Sequence, residues 1–123
     1  MRSARSFLIY LIFPLLPLTR MFGLKAALLR FSGAIVVDNV RIASSARFYV
    51  GGMFSIEENT WIGEDVLVTG GDAAVVIGKN CDIGPRVMIV SGSHRLWETA
   101  ERAAGSGFSQ PIRIGDGVWI GAG

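Results

Sequence analysis

From Val50 onward, aliphatic residues recur every six positions, at Val50, Ile56, Ile62 and Val68, and a period of six excludes most folds open to a short chain. After three extra residues at 70–72 the series restarts at Ile77, Ile83 and Ile89, and after a longer interruption it resumes at Ile114 and Ile120. Glycine follows the aliphatic residue at Gly51, Gly63, Gly78, Gly84, Gly115 and Gly121. Four residues beyond an aliphatic position sits a second inward candidate: Phe54, Thr60, Val66, Cys81, Val87 or Val118. An alternating strand has period two and would not set glycine so regularly beside the aliphatic residue. An amphipathic helix has period 3.6 and would not survive so many glycines.

The period predicts a triangular coil. Each six-residue unit makes one short flat strand, its aliphatic side chain points into the prism, and the small residue after it permits the corner. Three units complete a turn, and stacked turns bury a continuous aliphatic column while pairing their backbones with the turns above and below. Hairpins of a β-sandwich would not keep this many positions in phase. The expected fold is all-β, a parallel β-helix over residues 38–123, preceded by a basic and apolar segment over 1–37.

With 123 residues, half of them hydrophobic, the chain makes one domain, or a piece of one completed by copies of itself. The formal charge is only +2, yet Arg2, Arg5, Arg20, Lys25 and Arg30 all precede the first acid, Asp38. No helix-turn-helix, RNA-binding or zinc-finger spacing follows, so this basic and apolar start points to anionic lipid and away from nucleic acid. The run FLIYLIFPLLPL, Phe7 to Leu18, is shorter than the ~20 residues of a spanning helix. Pro14 and Pro17 interrupt it, and Thr19-Arg20-Met21 is a poor signal-peptidase site.

Two readings of this segment stand. Residues 2–20 form an interfacial anchor, with apolar side chains in the acyl boundary and arginines at lipid phosphates. Alternatively the segment caps the first coil, with Leu24, Ala27, Leu28 and Phe31 at helical spacing in MFGLKAALLRF, residues 21–31. One segment can do both.

His94 is the only histidine, and it falls where the sixfold register is lost, at the start of a polar loop expected from Ser91 to Gln110. Imidazole exchanges a proton near neutral pH, and a loop leaving a rigid coil can hold it beside a substrate. Gly-x-Ser-x-Gly is absent, so Ser93 is not marked as a nucleophile. Cys81 is the single cysteine, excludes an internal disulfide, fits a reducing compartment, and at an inward position reads as a small core residue. No Walker or dinucleotide fingerprint and no metal-ligand spacing is present.

The blocks VVIGKNCDIGPRVMIVSGSH (75–94) and PIRIGDGVWIGAG (111–123) resemble the hexapeptide-repeat acyltransferases, whose consensus is aliphatic-Gly-x-x-small-x. The resemblance covers residues 40–123 and is nearest to the sugar O-acetyltransferases: the maltose, galactoside and nodulation-factor enzymes and the colanic-acid and O-antigen branch. It implies a left-handed β-helix, a homotrimer with active sites between subunits, and direct transfer from acetyl-CoA to a sugar hydroxyl in polysaccharide biosynthesis.

His94 would be the general base, and backbone donors would stabilise the oxyanion, with Ser91 or Ser93 adding a hydrogen bond. Asp72 and Ser93 would face the acceptor, although Asp72 after two glycines also reads as a turn residue. Trp119 would lie near acceptor and coenzyme, unless it serves a subunit contact. The coenzyme would run past Gly121, Ala122 and Gly123. Glu98 and Glu101 are candidates to orient the imidazole, but where the galactoside enzymes carry a glutamate this chain has Gly105 and Ser106.

The acceptor expected is a polysaccharide or lipid-linked sugar, and the setting cytoplasmic, at the inner membrane surface. The sequence stops mid-repeat at Gly123, which reads as a β-helix truncated at its carboxyl end. An inactive structural fragment is therefore one alternative to an enzyme, and a membrane-bound scaffold, resting on residues 2–20, is another.

Overall fold

The computed structural model describes residues 4–99 and 101–123. Arg2, at the start of the expected lipid-facing stretch 2–20, lies outside them. Two helices come first, α1 (Ala4–Ile12) and α2 (Phe22–Phe31), with a single 3₁₀ turn at Phe13–Leu15 between them. From Ile35 the chain is β-structure, and successive strands enter three sheets in rotation.

The first sheet contains β1 (Ile35–Val36), β4 (Phe54–Ile56), β7 (Val75–Ile77) and β12 (Ile112–Ile114). The second contains β2 (Arg41–Ile42), β5 (Trp61–Ile62), β8 (Asp82–Ile83) and β13 (Trp119–Ile120), and the third β3 (Arg47–Val50), β6 (Leu67–Gly70) and β9 (Met88–Val90). All pairings within these sheets are parallel. Mostly β, with parallel sheets and few helices, the arrangement is compatible with an all-β parallel solenoid. β1 falls within the amino-terminal segment expected over 1–37.

The sixfold series begins earlier than the sequence pattern suggests. Val36, Ile42 and Phe48 form the first inward set, followed by Ile56, Ile62 and Val68, then Ile77, Ile83 and Ile89; these residues are buried. Ile114 and Ile120 continue the columns half-buried. Val50, taken as the start of the period, is buried as expected but out of phase: its partner in the next coil is Gly70, while Phe48 pairs with Val68. Two residues inserted after Phe48 happened to leave Val50 six places before Ile56. The second inward set holds, with Phe54, Thr60, Val66, Cys81 and Val87 buried.

The glycines after the aliphatic residues have a different cause from the one expected. None of Gly63, Gly78 or Gly84 has positive φ, so the corner itself does not need them. A Cβ at Gly63 would lie 2.8 Å from the Ile83 carbonyl oxygen, and one at Gly84 2.7 Å from that of Ile120. Glycine is required at these two positions because the backbone of the next coil crosses there, whereas a Cβ at Gly115 or Gly121 would meet nothing within 4 Å. The left-handed corner is taken instead by Asn39, Asn59 and Asn80, each near φ 56°. Their amides form a ladder, Asn39 Nδ2 donating to Asn59 Oδ1 and Asn59 Nδ2 to Asn80 Oδ1, both at 2.8 Å. Asparagine tolerates this conformation better than most side chains.

The helices lie over the first coil and share its core through Ile9, Phe13, Ala26 and Leu29. The face expected to pack, Leu24, Ala27, Leu28 and Phe31, is a correction: Leu24, Ala27 and Phe31 are exposed, Leu28 is half-buried, and α2 buries Lys25, Ala26 and Leu29. A buried lysine explains the rotation. Lys25 Nζ donates to the Pro17 and Leu18 carbonyls at 2.8 and 2.9 Å, which fastens the preceding segment beneath the helix. Burial lowers the lysine's pKa. Arg30 Nε donates to the Val36 carbonyl at 2.6 Å, and Tyr10 donates its hydroxyl to the Phe48 carbonyl at 2.7 Å while stacking on Tyr49 at 4.9 Å.

Replacing Ile62 by Ala, in the middle of an inward column, should destabilise the fold by about 2–5 kcal/mol in chemical denaturation. Burial, and secondarily Tyr49, pushes the Tyr10 phenol from 10.0 up to about 12. The folded chain therefore holds this proton more tightly, so the contribution is complete below pH 10 and is lost as pH rises towards about 12. Stability measured across that window should fall in the wild type and fall less in Tyr10→Phe.

Candidate functional site

β9 ends at Val90, and the next coil does not begin until Ile112. The segment between is not the polar loop expected from the sequence but an antiparallel hairpin, β10 (Gly92–Thr99) and β11 (Arg102–Ser109). Its polar composition misled because the hairpin stands away from the core, so no face of it needs apolar alternation. Gln110 N donates to the Ser91 carbonyl at 3.1 Å and closes the neck. Ala73 N donates to Ser109 Oγ at 3.0 Å and ties the returning strand to the corner of the coil before. Ser91 Oγ, buried at this neck, has no hydrogen-bond partner among the described residues.

Between that corner and the hairpin lies a groove of about 410 Å³. It brings together three residues singled out from sequence, Asp72, Ser93 and His94. Asp72 comes from the turn after β6, and the other two from the first residues of β10. Thr69, Phe108 and Ser109 also line it. No spacing rule pointed to Phe108 or Ser109, since they join the site only through the hairpin register, in which Ser93 pairs with Phe108 and His94 with Gly107.

His94 is exposed, and its Nδ1 lies 2.9 Å from the Gly105 carbonyl oxygen. A carbonyl only accepts, so in the neutral ring this contact requires the proton on Nδ1 and leaves the Nε2 lone pair available. The group that Nδ1 meets in this structure is a backbone carbonyl. Glu98 accepts from Ser106 N at 2.7 Å. Hydrogen bonds from the Ser106 side chain and backbone hold its carboxyl below the usual range. It is therefore committed to the hairpin, and Glu101 adjoins Arg102, which pairs with Thr99 away from His94. The departure at Gly105 and Ser106 is where the two substitutes act: one carbonyl holds the imidazole, and one amide holds the glutamate.

Gly105 itself has no room for a side chain, because a Cβ there would lie 2.8 Å from both the Arg95 carbonyl oxygen and Glu98 Cβ. The remaining predicted residues lie elsewhere. Trp119 is 79% exposed on the second sheet, beside Asp82 and two strands from Trp61. Trp119, Gly121, Ala122 and Gly123 do not line the groove. Cys81 is buried, with Sγ 3.1 Å from the Gly115 carbonyl oxygen.

No family profile and no solved structure matches this chain. It is similar to parts of longer proteins that are named, provisionally, as acetyltransferases. One from Dictyostelium discoideum is 43% identical over 49 residues, 40% of this chain and 25% of that protein. One from Saccharomyces cerevisiae is 36% identical over 68 residues, 55% of this chain and 34% of that protein. One from Schizosaccharomyces pombe is 41% identical over 51 residues, 42% of this chain and 24% of that protein. The chain spans about a quarter to a third of the length of these curated relatives. Their names support a relation to the acetyltransferases.

Nitrogen NMR of the neutral imidazole should report the Nδ1–H tautomer for His94. In Gly105→Ala, which must displace the carbonyl, the signal should move towards the mixture seen for a free histidine, with the fold retained by circular dichroism.

Proposed function

We propose that this chain carries the catalytic element of an acetyl-CoA-dependent O-acetyltransferase of the hexapeptide-repeat type, acting on a sugar hydroxyl. The observation that carries this reading is the 2.9 Å contact between His94 Nδ1 and the Gly105 carbonyl oxygen, in a groove that also presents Asp72 and Ser93. The acceptor hydroxyl gives its proton to Nε2, its oxygen bonds to the thioester carbonyl carbon, and the carbon–sulfur bond then breaks. The proton passes from the imidazolium to the departing thiolate, so the ring ends as it began. Asp72 and Ser93 supply the acceptor and donor groups that a polyhydroxyl substrate needs, and Phe108 offers an apolar surface for a sugar face. The relatives named as acetyltransferases support the reaction class.

Trp119, Gly121, Ala122 and Gly123 lie off the groove, and a site built from two copies reconciles them with a role towards the donor. A homotrimer of left-handed coils, as the resemblance implies, would bring one copy's groove to a neighbour's second sheet. Exposed Leu96 and Trp97 on a two-stranded hairpin without a covering layer support such an assembly. A cytoplasmic setting follows from the donor.

The test is release of free thiol from acetyl-CoA by the purified chain with a panel of saccharide acceptors, alongside its mass by sedimentation. His94→Ala should lower kcat/KM by ~10²–10⁴-fold while leaving the sedimenting mass unchanged. A wild-type rate in that variant would remove His94 as the base.

A further inference from the structure

The two capping helices are apolar on the side that does not touch the core. α1 buries Ser6 and Ile9, with Phe13 just beyond it, whereas Phe7, Leu8 and Leu11 on the other side are exposed. α2 turns Lys25, Ala26 and Leu29 inward and leaves Leu24, Ala27 and Phe31 outside. The two outer sides adjoin, since the Arg5 guanidinium on α1 sits 5.2 Å from the centre of the Phe31 ring on α2. Leu15, Leu18 and Met21, in the connection, are exposed as well. A helix at a water-facing surface ordinarily carries its polar residues on this side; here the exposed polar positions within the helices are Arg5 and Arg30 alone.

The charge on this surface has one sign. Arg5, Arg20 and Arg30 are exposed, Lys25 is buried, and the first acid is Asp38, beyond β1. Among the described residues no helix is long and apolar enough to cross a membrane. Such a face suits a bilayer interface, where apolar side chains enter the acyl boundary and arginines meet phosphates. A protein partner would need acidic groups placed for these arginines around a matching apolar surface, whereas an anionic bilayer offers phosphates and acyl chains without any such matching.

We infer that the outer face of α1 and α2 is a docking surface for an anionic lipid bilayer, on which the helices lie flat, inserting Phe7, Leu8, Leu11, Leu24 and Phe31. The rotation of α2 by its buried lysine creates this face, because it turns the apolar stripe Leu24, Ala27 and Phe31 away from the coil. The inference does not depend on the acetyl-transfer reading.

The test is co-sedimentation of the full chain with vesicles containing about 30% phosphatidylglycerol in phosphatidylcholine. Parallel arms use phosphatidylcholine alone and no vesicles. Binding to the anionic vesicles is expected, weaker by about tenfold or more on neutral ones or in Arg5→Ala/Arg20→Ala. Leu11→Glu/Phe31→Glu should lower the partition by about a hundredfold, with circular dichroism unchanged because both side chains are exposed. Pelleting that needs no vesicles would assign the face to a second copy of the chain and overturn the proposal. Failure of the wild type to bind, or equal binding by Leu11→Glu/Phe31→Glu, would overturn it as well.

Discussion

Everything in this chain depends on how closely one turn of backbone can lie on the next. Parallel pairs such as Ile42 with Ile62 and Ile62 with Ile83 repeat at twenty and twenty-one residues, which sets each inward side chain on its counterpart. The hydrophobic columns are the consequence of that registration as much as its cause. A Cβ at Gly63 or Gly84 would strike the carbonyl of the following turn, so the glycines control the spacing, while the asparagine ladder controls the corner. No single turn has these contacts alone, and stability is shared between neighbours.

The same registration explains where a site can form. Between β7 and β12 the repeat lengthens to thirty-seven residues, yet Val75 still pairs with Ile112 and Asp82 with Trp119. The extra residues leave the coil as a hairpin and return to the register they left. Because both ends of the hairpin are fixed by the coil, His94 and Gly105 can be held 2.9 Å apart on an arm with almost no buried surface. The rigidity of the site is borrowed from the turns on either side of it.

The parts legible in the sequence were those governed by this repeat. Ile56, Ile62, Val68, Ile77, Ile83 and Ile89 could be placed inward because six-residue spacing leaves them one direction to point. Val50 was rightly placed inward, but its phase was misread because two inserted residues imitated the period, and Val36, Ile42 and Phe48 were passed over because no glycine follows them to mark the phase. Asp72, Ser93 and His94 could be named as site residues, but not the Gly105 carbonyl, since a backbone acceptor leaves no trace in residue type. The hairpin was read as a loop because strands that face water on both sides carry no hydrophobic alternation.

The face of α2 was misread for a related reason, and the error is informative. Apolar residues at helical spacing mark a stripe, but they do not say that the stripe meets the protein. Here the opposite side is inward, and Lys25 is accommodated there because it finds two carbonyls, of Pro17 and of Leu18, the second of which also accepts from Ser44 N. The inward side also carries Ala26 and Leu29, and the two carbonyls offset the cost of burying the ammonium there, while the transfer of Leu24 and Phe31, worth about 1.5–3 kcal/mol each, is forgone. Those two side chains are then left outward beside Phe7, Leu8 and Leu11, so the polar bargain made beneath the helix determines what its outer surface is able to bind.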